Sequence, residues 1–395
     1  MENASSLHRS HSLSPLVAGF VALLVGLTSS GIIVFQAAQS GGADARMFSS
    51  WMLALGLGQG LTSIGLSAWY RVPVLTAWST PGAALLVMGL SGVPMNEAVG
   101  AFMFSAVLIC LCGITGWFER AINRIPLPIA GAMLAGVLVH FGMSVFTAMQ
   151  SQFAMVAVMF AAYLIGTRLL PRYAIVAVLV TGLLMTWRAG LLHTSEIKLA
   201  IATPVFVMPA FSWSACLSVG IPLFLVTMAS QNLPGVAVLR ASGYDKVPVS
   251  PLITWTGLAT LVLAPFGGFA INLAAITAAI CQGENAHPDP RQRYWAAIST
   301  GVLYLVVGLF GATVAELFTV FPKELVAALA GIALFSTIGN SLATAMKADQ
   351  TREAALVTFL VTASGVSLGG IGSAFWGVLA GAVTLMVFSG RGRTR

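Results

Sequence analysis

Charge is what this 395-residue chain has least of: 8% of its residues are Asp, Glu, Lys or Arg, against 58% hydrophobic. A soluble domain carries about 25% charged residues. A chain with a third of that cannot cover a globular surface with groups that water accepts, which excludes a soluble enzyme, a nucleic-acid binder and a disordered scaffold. Cysteine is scarce as well. The four cysteines are too few for a disulfide framework. Cys110-x-Cys112 lies in an apolar run with no second pair at zinc spacing, so neither metal nor cofactor is expected. Acids are missing where they would matter most: none of the twelve Asp and Glu residues falls in the middle of an apolar segment, and the same is true of Lys and Arg. Buried acidic and basic groups mark ion pathways and proton relays. Their absence argues against a membrane protease, a carboxylate-relay pump and a cation carrier, and it leaves an embedded enzyme without an acid–base pair.

What the chain has instead is length in apolar runs. Ile125 to Thr167 contains no charge apart from a neutral His140. As one helix it would reach about 65 Å, twice a bilayer core, so it must fold back. Cutting the chain at Pro, Gly and charge signals predicts fourteen segments: 14–39, 48–69, 74–90, 96–118, 127–147, 152–167, 173–190, 212–234, 249–266, 269–282, 293–314, 323–341, 353–367 and 370–389. The count falls to twelve if the short third and tenth segments do not cross fully. The first segment is too long for a signal-peptide core and reads as a retained helix. With the N-terminus in the cytoplasm and strict alternation, fifteen of the nineteen basic residues fall inside. Only Arg46, Arg188, Lys198 and Lys323 fall outside. This partition fits fourteen spans with both termini cytoplasmic, and it accounts for the net charge of +7.

The two halves echo each other. Ala77-x-x-Thr80 recurs at Ala274-x-x-Thr277, Gly113-x-x-Gly116 at Gly308-x-x-Gly311, and Leu134-Ala135-Gly136 at Leu329-Ala330-Gly331. Seven spans per repeat is an odd number, so the second repeat is inverted. Inverted repeats are typical of secondary transporters, whose site lies where broken helices meet near the midplane. The expected fold is an all-α polytopic membrane protein of two inverted seven-segment repeats, with segments 3 and 10 half extended and half helical. In segment 3, Val72-Pro73-Val74-Leu75-Thr76 favours extended chain, and Ser79 or Thr80 before Pro81 is a helix start. In segment 10, Gly267, Gly268 and Asn272 precede a short Ala-rich helix.

Two helix starts facing each other present unpaired N–H groups and partial positive charge, an anion site without a basic side chain. The candidate substrate-binding residues are Ser30, Trp78, Ser79, Thr80, Pro81, Gly82, Ala83, Ser230, Gln231, Asn232, Asn272, Thr277 and Ala278. Gln231 and Asn232 serve either the site or helix–helix hydrogen bonds. Trp78, Phe35 and Phe269 either stack on a flat ligand or pack. Small residues beside the helix starts leave room for a flat apolar body, so the ligand is a small organic anion with a hydrophobic part. His140 is the one ionisable side chain deep in a segment, a candidate proton relay or a hydrogen-bonded packing residue.

The stretches Tyr70–Ala84, Thr227–Gly235 and Ala275–Gln282 resemble the benzoate/proton symporter (BenE) family, and the similarity runs from about residue 14 to 390. The resemblance implies a multi-pass carrier of the bacterial inner membrane, related to nucleobase and sulfate/bicarbonate transporters. It implies a tail at 1–13, repeats at 14–199 and 200–390, a substrate-carrying core at 14–118 plus 212–314, and a gate at 125–190 plus 322–390. It also implies an aromatic carboxylate such as benzoate, and a proton, as partners beside membrane lipid, with a homodimer left open. The chain lacks the core glutamate of the nucleobase carriers in segments 8 and 10. A passive anion channel, or a carrier of another small organic anion or a nucleobase, is the alternative function.

Overall fold

The computed structural model describes residues 2–117, 127–169, 174–191, 199–284, 286–368 and 373–390. Arg120, Arg124, Arg172, Lys198, Arg391, Arg393 and Arg395 lie outside the described residues, as does the side chain of Arg9. In chain order the elements are α1 (Glu2–Ser40), α2 (Ala45–Tyr70), β1 (Thr76–Trp78), α3 (Thr80–Gly89), α4 (Met95–Ile114), α5 (Leu127–Ala148), α6 (Phe153–Leu169) and α7 (Ala174–Arg188). There follow α8 (Trp213–Arg240), α9 (Val249–Leu263), β2 (Ile271–Leu273), α10 (Ile276–Gln282), α11 (Tyr294–Leu309), α12 (Gly311–Thr319), α13 (Lys323–Met346), α14 (Arg352–Ala363) and α15 (Ser373–Gly390).

Most expected segments coincide with one helix over the described residues, whereas segments 3 and 10 each hold a strand and a helix and segment 11 holds two helices. Among the described residues six helices are long and apolar enough to cross a membrane alone. A seventh arises if the pair Pro290–Leu309 and Gly311–Phe318, bent by 70°, is counted as one span. That bend divides segment 11. Segment 8 differs in the other direction: it continues past Pro234 to Arg240. The reason is local. A π-turn at Cys216–Gly220 precedes Pro222, and another at Met228–Asn232 precedes Pro234. In a regular helix a proline ring strikes the carbonyl four residues back. A wider turn before each proline relieves the clash, so α8 continues instead of breaking.

The two extended halves pair with each other. β1 and β2 run antiparallel, Thr76 opposite Leu273, Ala77 opposite Asn272 and Trp78 opposite Ile271. Ser79 N–H donates to Ala270 O (3.0 Å) and Ala274 N–H to Leu75 O (2.9 Å), which extends the ladder at both ends. Outer edges are satisfied by side chains of flanking helices. On α2, the Ser67 and Ser63 hydroxyls accept from Val74 N–H (3.1 Å) and Thr76 N–H (3.0 Å). On α9, Thr260 Oγ1 accepts from Ile271 N–H (2.9 Å), and on α8 Asn232 Oδ1 accepts from Leu273 N–H (2.9 Å). An isolated two-stranded ribbon is marginal in water. Here its backbone groups find partners inside a protein interior where water does not compete.

Helices gather in two groups around this ribbon. α2 packs on α11 and α12, α4 on α9, and α1 on α3, α10 and α11. In the second group α5 packs on α13 and α14, α14 on α15, and α6 on α7. The α2–α11 crossing is a backbone contact between glycines. A Cβ on Gly56 would lie 2.6 Å from both Gly308 Cα and Tyr304 O, atoms that cannot rotate away. Gly56→Val is therefore expected to destabilise the protein by about 1–3 kcal/mol, read as a lower melting temperature in detergent; an unchanged melting temperature would contradict this close approach.

Candidate functional site

The ribbon places two helix starts at the wall of one cavity. Antiparallel strands send α3 and α10 in opposite directions, so both begin near the crossing and point away from it. A cavity of about 770 Å³ lies there, lined on one side by α1, α2, the strand–helix units, α8 and α11, and on the other by α5, α6, α7 and α13. That volume lies within the range of small-molecule sites. Among the described residues no Asp, Glu, Lys, Arg or His lines it; their polar groups are hydroxyls, amides and backbone.

The two helix starts are not equivalent. At α3 the Ser79 hydroxyl accepts from Gly82 N–H (2.9 Å), Ser79 O accepts from Ala83 N–H (2.8 Å), and Pro81 has no N–H. α10 starts without a side-chain cap on Ala275. The N–H groups of Ile276 and Thr277, both cavity residues, find no partner among the described residues. The free donors of the site therefore come mainly from α10. A carboxylate oxygen is the strongest acceptor for such N–H donors.

Of the expected residues, Ser30, Trp78, Thr80, Pro81, Ser230, Gln231 and Thr277 line the cavity. Trp78 is held in place: its Nε1–H donates to Ser30 Oγ (2.7 Å), whose own hydroxyl donates to Gly26 O (2.8 Å). Ser230 and Gln231 sit in the second π-turn of α8, where the helix ladder is loosened beside Pro234. The other expected residues stand behind this wall. Ser79 is the cap of α3, and Asn232 holds β2. Asn272 is fully buried and donates to Ala270 O (2.7 Å). Gly82, Ala83 and Ala278 are buried without lining the cavity. Phe35 packs edge-on against Phe48, and Phe269 packs against Trp51 and Phe102, so both are packing residues. His140 is exposed on α5, away from the cavity-lining face, with Nε2 2.7 Å from Ala363 O.

Sequence reasoning missed several lining residues. Tyr304 on α11 is buried beside Trp78, with ring centroids 6.4 Å apart. Gln59 on α2 is fully buried and reaches the cavity. The facing wall carries Tyr163, Ser336, Thr337 and Asn340. Gln59 had a readable signal, an amide in an otherwise apolar and small-residue segment. The facing wall had none, because its serines and threonines are common in spans and lie far from the half-helices in sequence.

A family model described as BenE, benzoate membrane transport protein, matches residues 9–387. The inner membrane protein YdcO of Escherichia coli (strain K12) is 49% identical over 374 residues, covering 95% of both chains. A benzoate membrane transport protein of Acinetobacter baylyi is 41% identical over 382 residues, covering 97% of both. Among solved structures, SLC26A9 superposes with a TM-score of 0.61 at 13% identity. That match covers 96% of this chain, which spans 66% of the SLC26A9 chain; at this identity the likeness is one of fold alone.

The geometry separates two classes of substitution. A Cβ on Gly82 would lie 2.8 Å from Ser79 Oγ and 2.9 Å from Leu223 Cδ1. Gly82→Leu is therefore expected to unseat the α3 cap and cost folded protein, so it does not report on binding alone. Asn232→Ala removes the acceptor of Leu273 N–H and is expected to cost about 1–3 kcal/mol, whereas Thr277→Val, on the cavity surface, should leave the unfolding free energy within about 1 kcal/mol of the parent. Equal destabilisation by Asn232→Ala and Thr277→Val would contradict this division.

Proposed function

The chain belongs to the BenE family of benzoate membrane transport proteins, and on that premise we propose that it imports benzoate or a close aromatic carboxylate, together with a proton, by alternating access. It is a membrane transporter, not an enzyme. The observation that carries the substrate reading is the cavity itself: no charged side chain among its described lining residues, free N–H donors at the start of α10, and Trp78 and Tyr304 on the wall. Such a site holds an anionic or acidic head by backbone donors and a flat apolar body by aromatic faces. It suits one carboxyl on one ring better than a multiply charged anion, whose charge would lack a buried cation.

Two inverted seven-span repeats are our reading of the architecture. Support comes from corresponding contacts in the two halves. Ser63 on α2 accepts from Thr76 N–H as Thr260 on α9 accepts from Ile271 N–H, and α2 packs on α11 as α9 packs on α4. The group around the ribbon serves as the substrate-carrying core, and α5–α7 with α13–α15 as the gate. The gate lines the cavity with Leu127–Leu134 at the start of α5, Tyr163 and Thr167 at the end of α6, Ala174–Val176 at the start of α7 and Ile332–Thr344 of α13. Near these ends lie Arg168 in the last turn of α6, Lys347 just after α13 and Arg352 at the start of α14. By the positive-inside rule that side is the cytoplasm. The conformation is therefore read as inward-open, in a bacterial inner membrane with both termini cytoplasmic.

With no carboxylate or imidazole on the cavity wall among the described residues, the proton travels on the substrate or its immediate hydrogen-bond partners. Uptake of labelled benzoate into proteoliposomes should accelerate under an inward proton gradient. Gln231→Leu should lower it at least about tenfold, equivalent to one hydrogen bond of about 1.4 kcal/mol, while His140→Ala should still accumulate benzoate. No uptake by the parent protein would contradict the substrate. Loss of accumulation with retained exchange in His140→Ala would assign the proton to that residue.

A further inference from the structure

Gln59 is completely buried, yet it lines the cavity. Its Nε2 donates to Leu55 O at 3.0 Å. That contact decides which end of the amide is which, because the atom beside a carbonyl oxygen must be the donor. The other end, Oε1, is buried and has no hydrogen-bond partner. Leaving an amide oxygen dry and unpaired is unfavourable, and native structures do so seldom.

Neighbouring hydroxyls are already committed. Thr76 Oγ1 lies 2.6 Å from Thr62 Oγ1 and 2.8 Å from Ser63 Oγ, and it donates to the backbone carbonyl of Gln59 at 3.0 Å. Behind them, the glycine contact of α2 with α11 brings Gly56 against the backbone of Tyr304, so Gln59 and Tyr304 leave the same crossing toward the cavity. Of the titratable and charged groups on α2, at its two ends and on the elements packed against it (Asp44, Arg46, Tyr70, Arg71, Tyr294, Tyr304 and Glu316), Tyr304 alone lines the cavity among the described side chains.

The site thus offers donors from the α10 start and one buried acceptor from α2. A carboxylate carries acceptors only, and its lone pairs repel an amide oxygen. A protonated carboxyl carries one acceptor and one donor. We propose that Gln59 is a specificity-determining residue whose Oε1 accepts the O–H of the substrate's protonated carboxyl group, so that the acid is bound neutral and brings its own proton. The proposal rests on the aromatic carboxylate reading above. The step balances simply: a carboxylate and a proton enter the site together as one neutral acid, and no protein group changes its protonation.

The test is equilibrium binding of labelled benzoate to the full-length protein in lipid nanodiscs between about pH 5.5 and 7.5, with benzamide and methyl benzoate as competitors. One proton taken up per ligand makes the affinity for benzoate about tenfold weaker for each pH unit gained above its own pKa near 4. Benzamide carries an acceptor and a donor without ionising, so it should compete equally at every pH. Methyl benzoate has no donor and should not compete. Gln59→Met should weaken benzamide at least about tenfold and flatten the pH dependence of benzoate. Gln59→Glu, kept neutral by burial at the acid end, should retain benzoate binding near pH 5.5 and lose affinity toward pH 7.5 more steeply than the parent's about tenfold per pH unit, because two groups must then stay protonated. Parent-like affinity and pH slope in Gln59→Met would overturn the proposal. So would a flat pH profile in the parent or, if Gln59→Met does not fold, parent-like behaviour of Gln59→Glu. Absence of benzoate binding by the parent at every pH would instead overturn the substrate reading, and this proposal with it.

Discussion

Six residues of extended backbone, three in each strand, set the terms for the rest of the molecule. In the interior of a membrane protein each N–H and C=O must find a partner within the protein. The β1–β2 pairing meets part of that demand, and Ser63, Thr260 and Asn232 meet more of it from three different helices. Those helices therefore have to lie where their side chains reach the strand edges. Close approach then requires glycine at crossings such as Gly56 with Gly308. Because the strands are antiparallel, the helices that follow them start near one point and diverge. The cavity is the space that this geometry leaves.

Function in this account comes from a cavity wall whose described residues carry no charged side chain. A buried Lys or Arg would bind an anion more tightly but release it reluctantly, and a buried acid would repel it. Backbone donors at a short helix give attraction without a titrating group. The wall is asymmetric: the donors of α3 are taken up by Ser79, those of α10 stay open, and Gln59 adds an acceptor. An arrangement of donors and one acceptor around an aromatic slot discriminates by protonation state as well as by shape.

Much of the fold was legible in the sequence because its constraints are local. Val-Pro-Val-Leu-Thr, the Ser79 cap and Pro81 announce a strand entering a helix, and Gly267-Gly268 before β2 announces the second. The basic residues mark the loops. Less legible were features that depend on partners. The continuation of α8 through Pro222 and Pro234 needs π-turns that periodicity does not reveal. Within the candidate site, residues with side chains small or polar enough to recognise a ligand divided according to facing: Thr277 lines the cavity whereas the adjacent Ala278 is packed behind it. Asn232 and Ser79 are polar for the sake of the backbone they hold, not for a ligand. His140 stood out by chemistry alone, and the helix face it occupies removes it from the cavity.

The central claim is that an aromatic acid sits in the cavity with its ring against Trp78 and Tyr304 and its carboxyl at the α10 start. A structure of the protein with 4-iodobenzoate tests this most directly, because the iodine marks the end of the ring opposite the carboxyl. The account predicts one iodine position inside the cavity, with the carboxyl at Ile276–Thr277 and the ring beside Trp78. Iodine bound only outside the cavity, or a carboxyl turned away from α10, would contradict it.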